Sequence, residues 1–78
     1  MAGAAGLGSL VRVRDQAGKE TEYEIVGRRA DDATRTQVTP GSPVGVALLG
    51  AREGDEVRVT LPNGRRRVLT VLAVTTLL

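Results

Sequence analysis

The chain of 78 residues is long enough for one domain with a small core, and its 11 basic and 9 acidic residues give a formal net charge of +2. It contains no Cys and no His, which excludes disulfides, thiolate metal sites and the most frequent general base. Tyr23 is the single aromatic residue, so Val, Leu and Ile must fill the core.

The first eight residues are rich in Gly and Ala and lack the basic start and long apolar stretch of a signal peptide. They predict a flexible lead-in or a linker (residues 1–8) in front of a single domain (residues 9–78). The sequence has no apolar run near the ~20 residues that cross a bilayer. We therefore expect a cytoplasmic protein that does not contact a membrane.

A first hairpin is predicted by two stretches in which apolar and polar residues alternate, residues 9–15 and 20–26. Gly18 is expected to be the left-handed residue of the turn between them. In the second strand, Tyr23 and Ile25 share one face with Thr21, while three glutamates occupy the other. Residues 28–37 have no sustained period and predict a charge-rich loop.

A short helix with clear start and stop signals is the next predicted element, after a short strand or bridge at residues 38–39. The Ser42 hydroxyl can accept from a free backbone N–H one turn inside the helix. Pro43 suits the first helical position, where an N–H would have no partner, and Gly50 favours a left-handed end. The helix positions i, i+3 and i+4 that would share the buried face are Val44, Ala47 and Leu48.

A second hairpin is predicted by residues 55–61 and 65–74, which flank the turn dipeptide Asn63-Gly64. The last strand is apolar on both faces near its end, which indicates a central position or contact with the helix. Two hairpins and one helix predict an α+β domain, with an antiparallel sheet covered on one side by the helix.

The polar residues of the sequence do not form a pattern typical of a catalytic site. Asp31 and Asp32 are adjacent carboxylates, but they lie between arginines and have no spaced partners, so we interpret them as solvated loop residues. The glycines do not follow a phosphate-binding spacing, and Gly45 is expected to allow close approach of the helix to the sheet. We expect no enzyme activity, no metal and no cofactor.

The basic run Arg65, Arg66 and Arg67 is interpreted as a solvated strand end that discourages edge-to-edge pairing. Nucleic-acid binders of this size usually add stacking aromatic residues or a larger basic field. We therefore expect no direct nucleic-acid contact from this domain alone.

In order, the motifs resemble the C-terminal domain of the bacterial Gre transcript-elongation factors, GreA and GreB, from about Leu10 to Val74. The resemblance rests on six short pieces in register: Tyr23-Glu24-Ile25-Val26-Gly27; Ala30-Asp31; Ser42-Pro43 with Ala47-Leu48-Leu49-Gly50; Gly54-Asp55; Val57 and Val59; and Pro62-Asn63-Gly64.

The resemblance implies an FKBP-like fold, a curved antiparallel sheet with one short helix packed across it. It also implies a non-catalytic, monomeric docking domain that binds RNA polymerase at the rim of the secondary channel, against the β′ subunit coiled coil. The implied contact residues are Gly41, Ser42, Pro43 and Val44. The family usually has Asp, Asn or Ser where this chain has Gly41, so one side-chain acceptor is missing.

Gre factors stimulate transcript cleavage with acidic residues at the tip of an N-terminal coiled coil of some 70 residues. Because residues 1–8 are far too short for one, we expect docking without cleavage stimulation, either as an isolated C-terminal domain or as a stand-alone relative. The alternative is a general protein-interaction module like the Gre-related regulators of nucleoside diphosphate kinase. A prolyl isomerase is a distant third, because one Tyr cannot line its aromatic pocket.

Overall fold

The computed structural model describes residues 3–30 and 35–76. Within these residues five strands form one sheet in the order β3-β2-β1-β5-β4, and one helix covers one of its faces. The elements are β1 (Ser9–Asp15), β2 (Glu20–Ile25), β3 (Thr36–Val38), α1 (Pro43–Leu48), β4 (Glu56–Thr60) and β5 (Arg66–Thr76). The predicted α+β class is confirmed.

Both predicted hairpins are present, since β1 pairs antiparallel with β2 and β4 with β5. An antiparallel pairing of β1 with β5 joins them into one sheet. The short β3 pairs parallel with β2, so the sheet is mixed at this edge. The predicted loop therefore ends earlier than expected, because Thr36 and Gln37 belong to β3. Asp31 and Asp32 lie outside the described residues.

The two hairpin turns have the same geometry. Gly18 and Gly64 have φ of 85° and 84°, which confirms the left-handed conformation predicted for Gly18. Each turn closes with a backbone bond across three loop residues, Asp15 N–H to the Lys19 carbonyl and Leu61 N–H to the Arg65 carbonyl. Because β1 and β5 are antiparallel neighbours, both turns lie at the same end of the sheet.

The core lies between the helix-bearing face of the sheet and α1, which packs against β4. Alternate residues of the strands point into it, as the predicted alternation requires. The segment 39–55 crosses this face from the β3 edge to the β4 edge, with α1 in its middle. The largest fully buried side chains are Ile25, Leu48, Val11, Val13, Val59 and Val71.

A β-bulge explains why the end of β5 is apolar on both faces. Arg12 is paired with Ala73 whereas Val13 is paired with Val71, so Leu72 is an extra residue in β5. Before the bulge Leu69 and Val71 point into the core, and after it Val74 does. The strand also lies inside the sheet, between β1 and β4, as predicted.

The segment in front of β1 is tied to the domain. Ala5 is 4% exposed, donates its N–H to the Ala51 carbonyl and accepts from the Gly50 N–H. Gly8 donates to the Ile25 carbonyl at 2.9 Å. The packing of the domain therefore begins at least as early as Ala5, before the boundary expected at residue 8.

Candidate docking surface

The start of α1 is fixed by a compact set of hydrogen bonds. The Thr39 carbonyl accepts from the Ser42 N–H at 3.0 Å and from the Ser42 hydroxyl at 2.8 Å. The same hydroxyl oxygen accepts from the Gly45 N–H at 3.1 Å. Ser42 is thus the N-cap and Pro43 the first helical residue, as the sequence predicts.

Gly45 is required by the loop in front of the helix. A Cβ at this position would overlap the Thr39 carbonyl oxygen. The sequence predicts a close approach of the helix to the sheet at Gly45, whereas the atoms nearest to such a Cβ belong to Thr39 and Ser42. The reason is that the Ser42 cap folds the 39–42 turn back over the first turn of the helix.

The helix has one buried and one exposed face. Leu48 is 0% exposed, and Val44 and Ala47 pack against the core, so the predicted buried face is confirmed. Gly50, with φ of 79°, ends the helix as predicted. Exposed apolar side chains on the other face include Val46 (61% exposed) and Leu49 (41%).

Pro43, Val46 and the C-cap residue Leu49 follow one another at intervals of three, and within the helix this spacing makes Pro43 and Val46 neighbours on one side. Together with Gly41 they form what we call the helix surface. Sequence reasoning missed Val46 and Leu49 because it followed the buried face; their spacing from Pro43 was the available signal. No residue from 38 to 51 is charged, so this surface offers apolar groups and backbone polar groups.

The four predicted contact residues are not equally accessible. Gly41 and Pro43 are exposed, and a Cβ added at Gly41 would meet no heavy atom within 4 Å. Ser42 is half-buried, with its hydroxyl engaged in the cap. Val44 is half-buried against the core, so Val46 is the valine that shares the solvent side with Pro43.

Elsewhere, a shallow depression on the helix-free face of the sheet is lined by polar residues, Arg12, Glu20, Thr21 and Glu22. Such a lining differs from the apolar pocket that a prolyl isomerase needs. Among the described residues, no three carboxylate side chains come together as a metal site would require. Within the same residues, no helix is both long and apolar enough to cross a membrane.

The family model described as "Transcription elongation factor, GreA/GreB, C-term" matches residues 2–76. The chain belongs to this family. GreA of Sphingopyxis alaskensis is 39% identical over 63 residues, covering 81% of this chain and 40% of GreA. GreA of Clostridium beijerinckii is 44% identical over 59 residues, covering 74% and 37%.

Among solved structures, the GreA factor homolog 1 (Gfh1) of Thermus thermophilus superposes with a TM-score of 0.76 at 31% identity. The match covers 95% of this chain and 49% of Gfh1. The predicted family and the predicted fold are therefore confirmed. This Gre C-terminal domain spans about two fifths of the length of the curated relatives it matches.

Proposed function

We propose that this Gre C-terminal domain is a non-catalytic docking domain for RNA polymerase in the cytoplasm. In this proposal it binds as a monomer, without metal or cofactor, at the rim of the secondary channel. The partner is the coiled coil of the β′ subunit, and the contact residues are the four expected from the sequence, Gly41, Ser42, Pro43 and Val44, joined by the exposed Val46. The family membership supports polymerase as the target, and the geometry of the helix surface supports the site.

The observation that carries the proposal is the uncharged helix surface. Val46 is 61% exposed, although valine is among the residues most often buried in protein cores. It lies beside Pro43 on a helix whose start is held by the Ser42 cap, so little conformational freedom would be lost on binding. A rigid apolar ridge of this kind fits the side of a partner helix.

A side chain at Gly41 tests the site by gain of affinity. The open space around Gly41 allows Gly41→Asp without a clash, and its carboxylate supplies the acceptor that family members usually have there. We expect about three- to tenfold tighter binding to polymerase, the effect of one added hydrogen bond. Surface plasmon resonance with immobilised core polymerase measures it.

Loss of affinity is tested in the same assay with Val46→Asp, which places a charge in the apolar contact. We expect at least tenfold weaker binding. Gln16→Asp changes the net charge equally in an exposed turn and should bind as the unmodified chain does.

Polymerase lacking the β′ coiled coil should not bind. Equal binding to both polymerases would contradict the proposal and favour a partner outside this contact, as in the regulators of nucleoside diphosphate kinase.

A further inference from the structure

The end of the sheet that carries both hairpin turns concentrates positive charge. Six of the 11 basic residues lie there, with three of the 9 acidic ones, Asp15, Glu20 and Glu56. The rest of the sequence holds five basic and six acidic residues. We call this region the basic end; its members are Arg14, Lys19, Arg58, Arg65, Arg66 and Arg67.

The sheet topology assembles the basic end from three segments that are distant in sequence. The pairing of β1 with β5 brings the first turn beside the start of β5, and β4 adds Arg58 opposite Val68. Arg66 is opposite Thr60, two residues further along the same two strands and on the same face of the sheet as Arg58. The Cα atoms of Arg58 and Arg66 are therefore roughly 8 Å apart, from the ordinary strand spacing and rise.

Part of this charge is compensated within the domain. The Arg67 guanidinium lies 3.1 Å from the Asp15 carboxylate, which also accepts from the N–H groups of Ala17 and Lys19. For Arg58, Arg65 and Arg66, the described residues provide no carboxylate within 4.0 Å. All three are exposed, so their guanidinium groups are open to an external anion.

We propose that the basic end binds the phosphate backbone of double-stranded nucleic acid, independently of base sequence. Guanidinium groups bind phosphate oxygens in a bidentate manner, and a sheet holds their Cα atoms at fixed spacing. The domain's sole aromatic residue, Tyr23, is on the core side of β2, so no stacking platform for single-stranded bases is present at this end.

An acidic protein partner fits the basic end less well than a nucleic acid does. Protein interfaces have an apolar centre, but in the described part of the chain the exposed large apolar residues, Leu7, Val46 and Leu49, all lie outside this end. Binding to phosphates needs no such centre, because the release of counterions drives it. The run of three arginines, residues 65–67, predicts by itself only a solvated strand end. The fold brings three further basic residues beside it: Arg14 from β1, Lys19 from the first turn and Arg58 from β4.

Fluorescence anisotropy of a labelled 20-base-pair DNA duplex, titrated with the whole chain, tests this proposal. In low salt we expect a Kd of about 10⁻⁴ to 10⁻⁵ M, in the range of non-specific binding. The logarithm of the association constant should fall with the logarithm of salt concentration with a slope of about −2 to −4, as expected for two to four phosphate contacts. A duplex of different base sequence should bind equally.

The double variant R65E/R66E should weaken binding at least tenfold, and the neutral variant R65Q/R66Q by less. The matched control is R28E/R52E, which makes the same change of net charge at exposed residues outside the basic end and should weaken binding far less. Circular dichroism shows that each variant is folded. Equal loss in both glutamate variants would mean that net charge alone attracts DNA, and it would overturn the proposal.

Two further results would also overturn it. One is the absence of binding at roughly 500 μM protein in low salt, about five times the weakest Kd expected for non-specific binding. The other is equally tight binding of poly-glutamate, with the same loss in R65E/R66E, which would assign the basic end to an acidic protein partner. The test does not depend on polymerase docking, because it uses a different surface and a different ligand.

Discussion

The helix surface and the basic end differ in how the chain builds them. The helix surface comes from one contiguous segment, residues 41–49, and carries no charge. The basic end combines residues from β1, β4, β5 and both hairpin turns. Apolar contacts respond weakly to salt, whereas phosphate contacts are lost as salt rises. The domain therefore presents two surfaces that one salt titration can distinguish.

The two surfaces also depend on different parts of the fold for their rigidity. The helix surface is held by the Ser42 cap and by Leu48, which anchors α1 in the core. The basic end is held by two turns of the same geometry and by Asp15 between them. Substitutions that damage one support should leave the other surface intact as long as the domain stays folded.

The largest effect is expected from Leu48→Ala, which leaves a cavity under the helix. Because Leu48 is 0% exposed, we expect a loss of about 2–5 kcal/mol in the free energy of unfolding. Urea denaturation measures it. The matched control Val46→Ala removes an exposed side chain from the same helix and should change stability by less than about 0.5 kcal/mol. Similar losses in both variants would contradict the assignment of the two helix faces.

The next largest effect on stability is expected at Gly45, in comparison with Gly41 at the start of the same helix. Gly45→Ala forces the Thr39 carbonyl to move and should cost about 1–3 kcal/mol. Gly41→Ala meets open space and should leave the unfolding free energy unchanged or slightly raised. The difference in denaturation midpoint between the two variants is the measurement, and a midpoint for Gly45→Ala equal to that of Gly41→Ala would refute the close approach.

A smaller effect is expected at the support of the basic end. Asp15→Ala removes the acceptor of two backbone N–H groups and the partner of Arg67, whose distance to it is 3.1 Å. We expect a loss of about 1–2 kcal/mol. Glu22→Ala breaks the exposed pair with Arg12, at 3.7 Å, and should cost under about 0.5 kcal/mol. Thermal unfolding of both variants, side by side, decides whether Asp15 is the stronger support.

Much of the fold follows from local signals in the sequence. The cap at Ser42, the left-handed Gly50 and the alternation of residues 9–15 each act within a few residues, so each was predictable. The bulge at Leu72 and the parallel pairing of β3 depend on contacts between distant strands. No local pattern encodes them.

The candidate sites show the same division. Pro43 and its neighbours were identifiable because the helix surface lies within one segment. The contribution of Arg58 and Lys19 to the basic end depends on the order of the strands, β1-β5-β4 on one side and β1-β2 on the other. In the sequence they are isolated charged residues, and no local pattern indicates a shared surface. Val46 was not predicted because the helix was interpreted only through its buried face.

The central claim, docking through the helix surface, is tested most directly by an NMR titration. The ¹⁵N-labelled chain is titrated with a peptide of the β′ coiled coil from its own polymerase, at low and moderate salt. We expect shifts at the amides of Gly41, Ser42, Val44 and Val46 at both salt concentrations, and their loss in Pro43→Ala. Shifts confined to Arg65 and Arg66, or none at roughly 500 μM peptide, would contradict it.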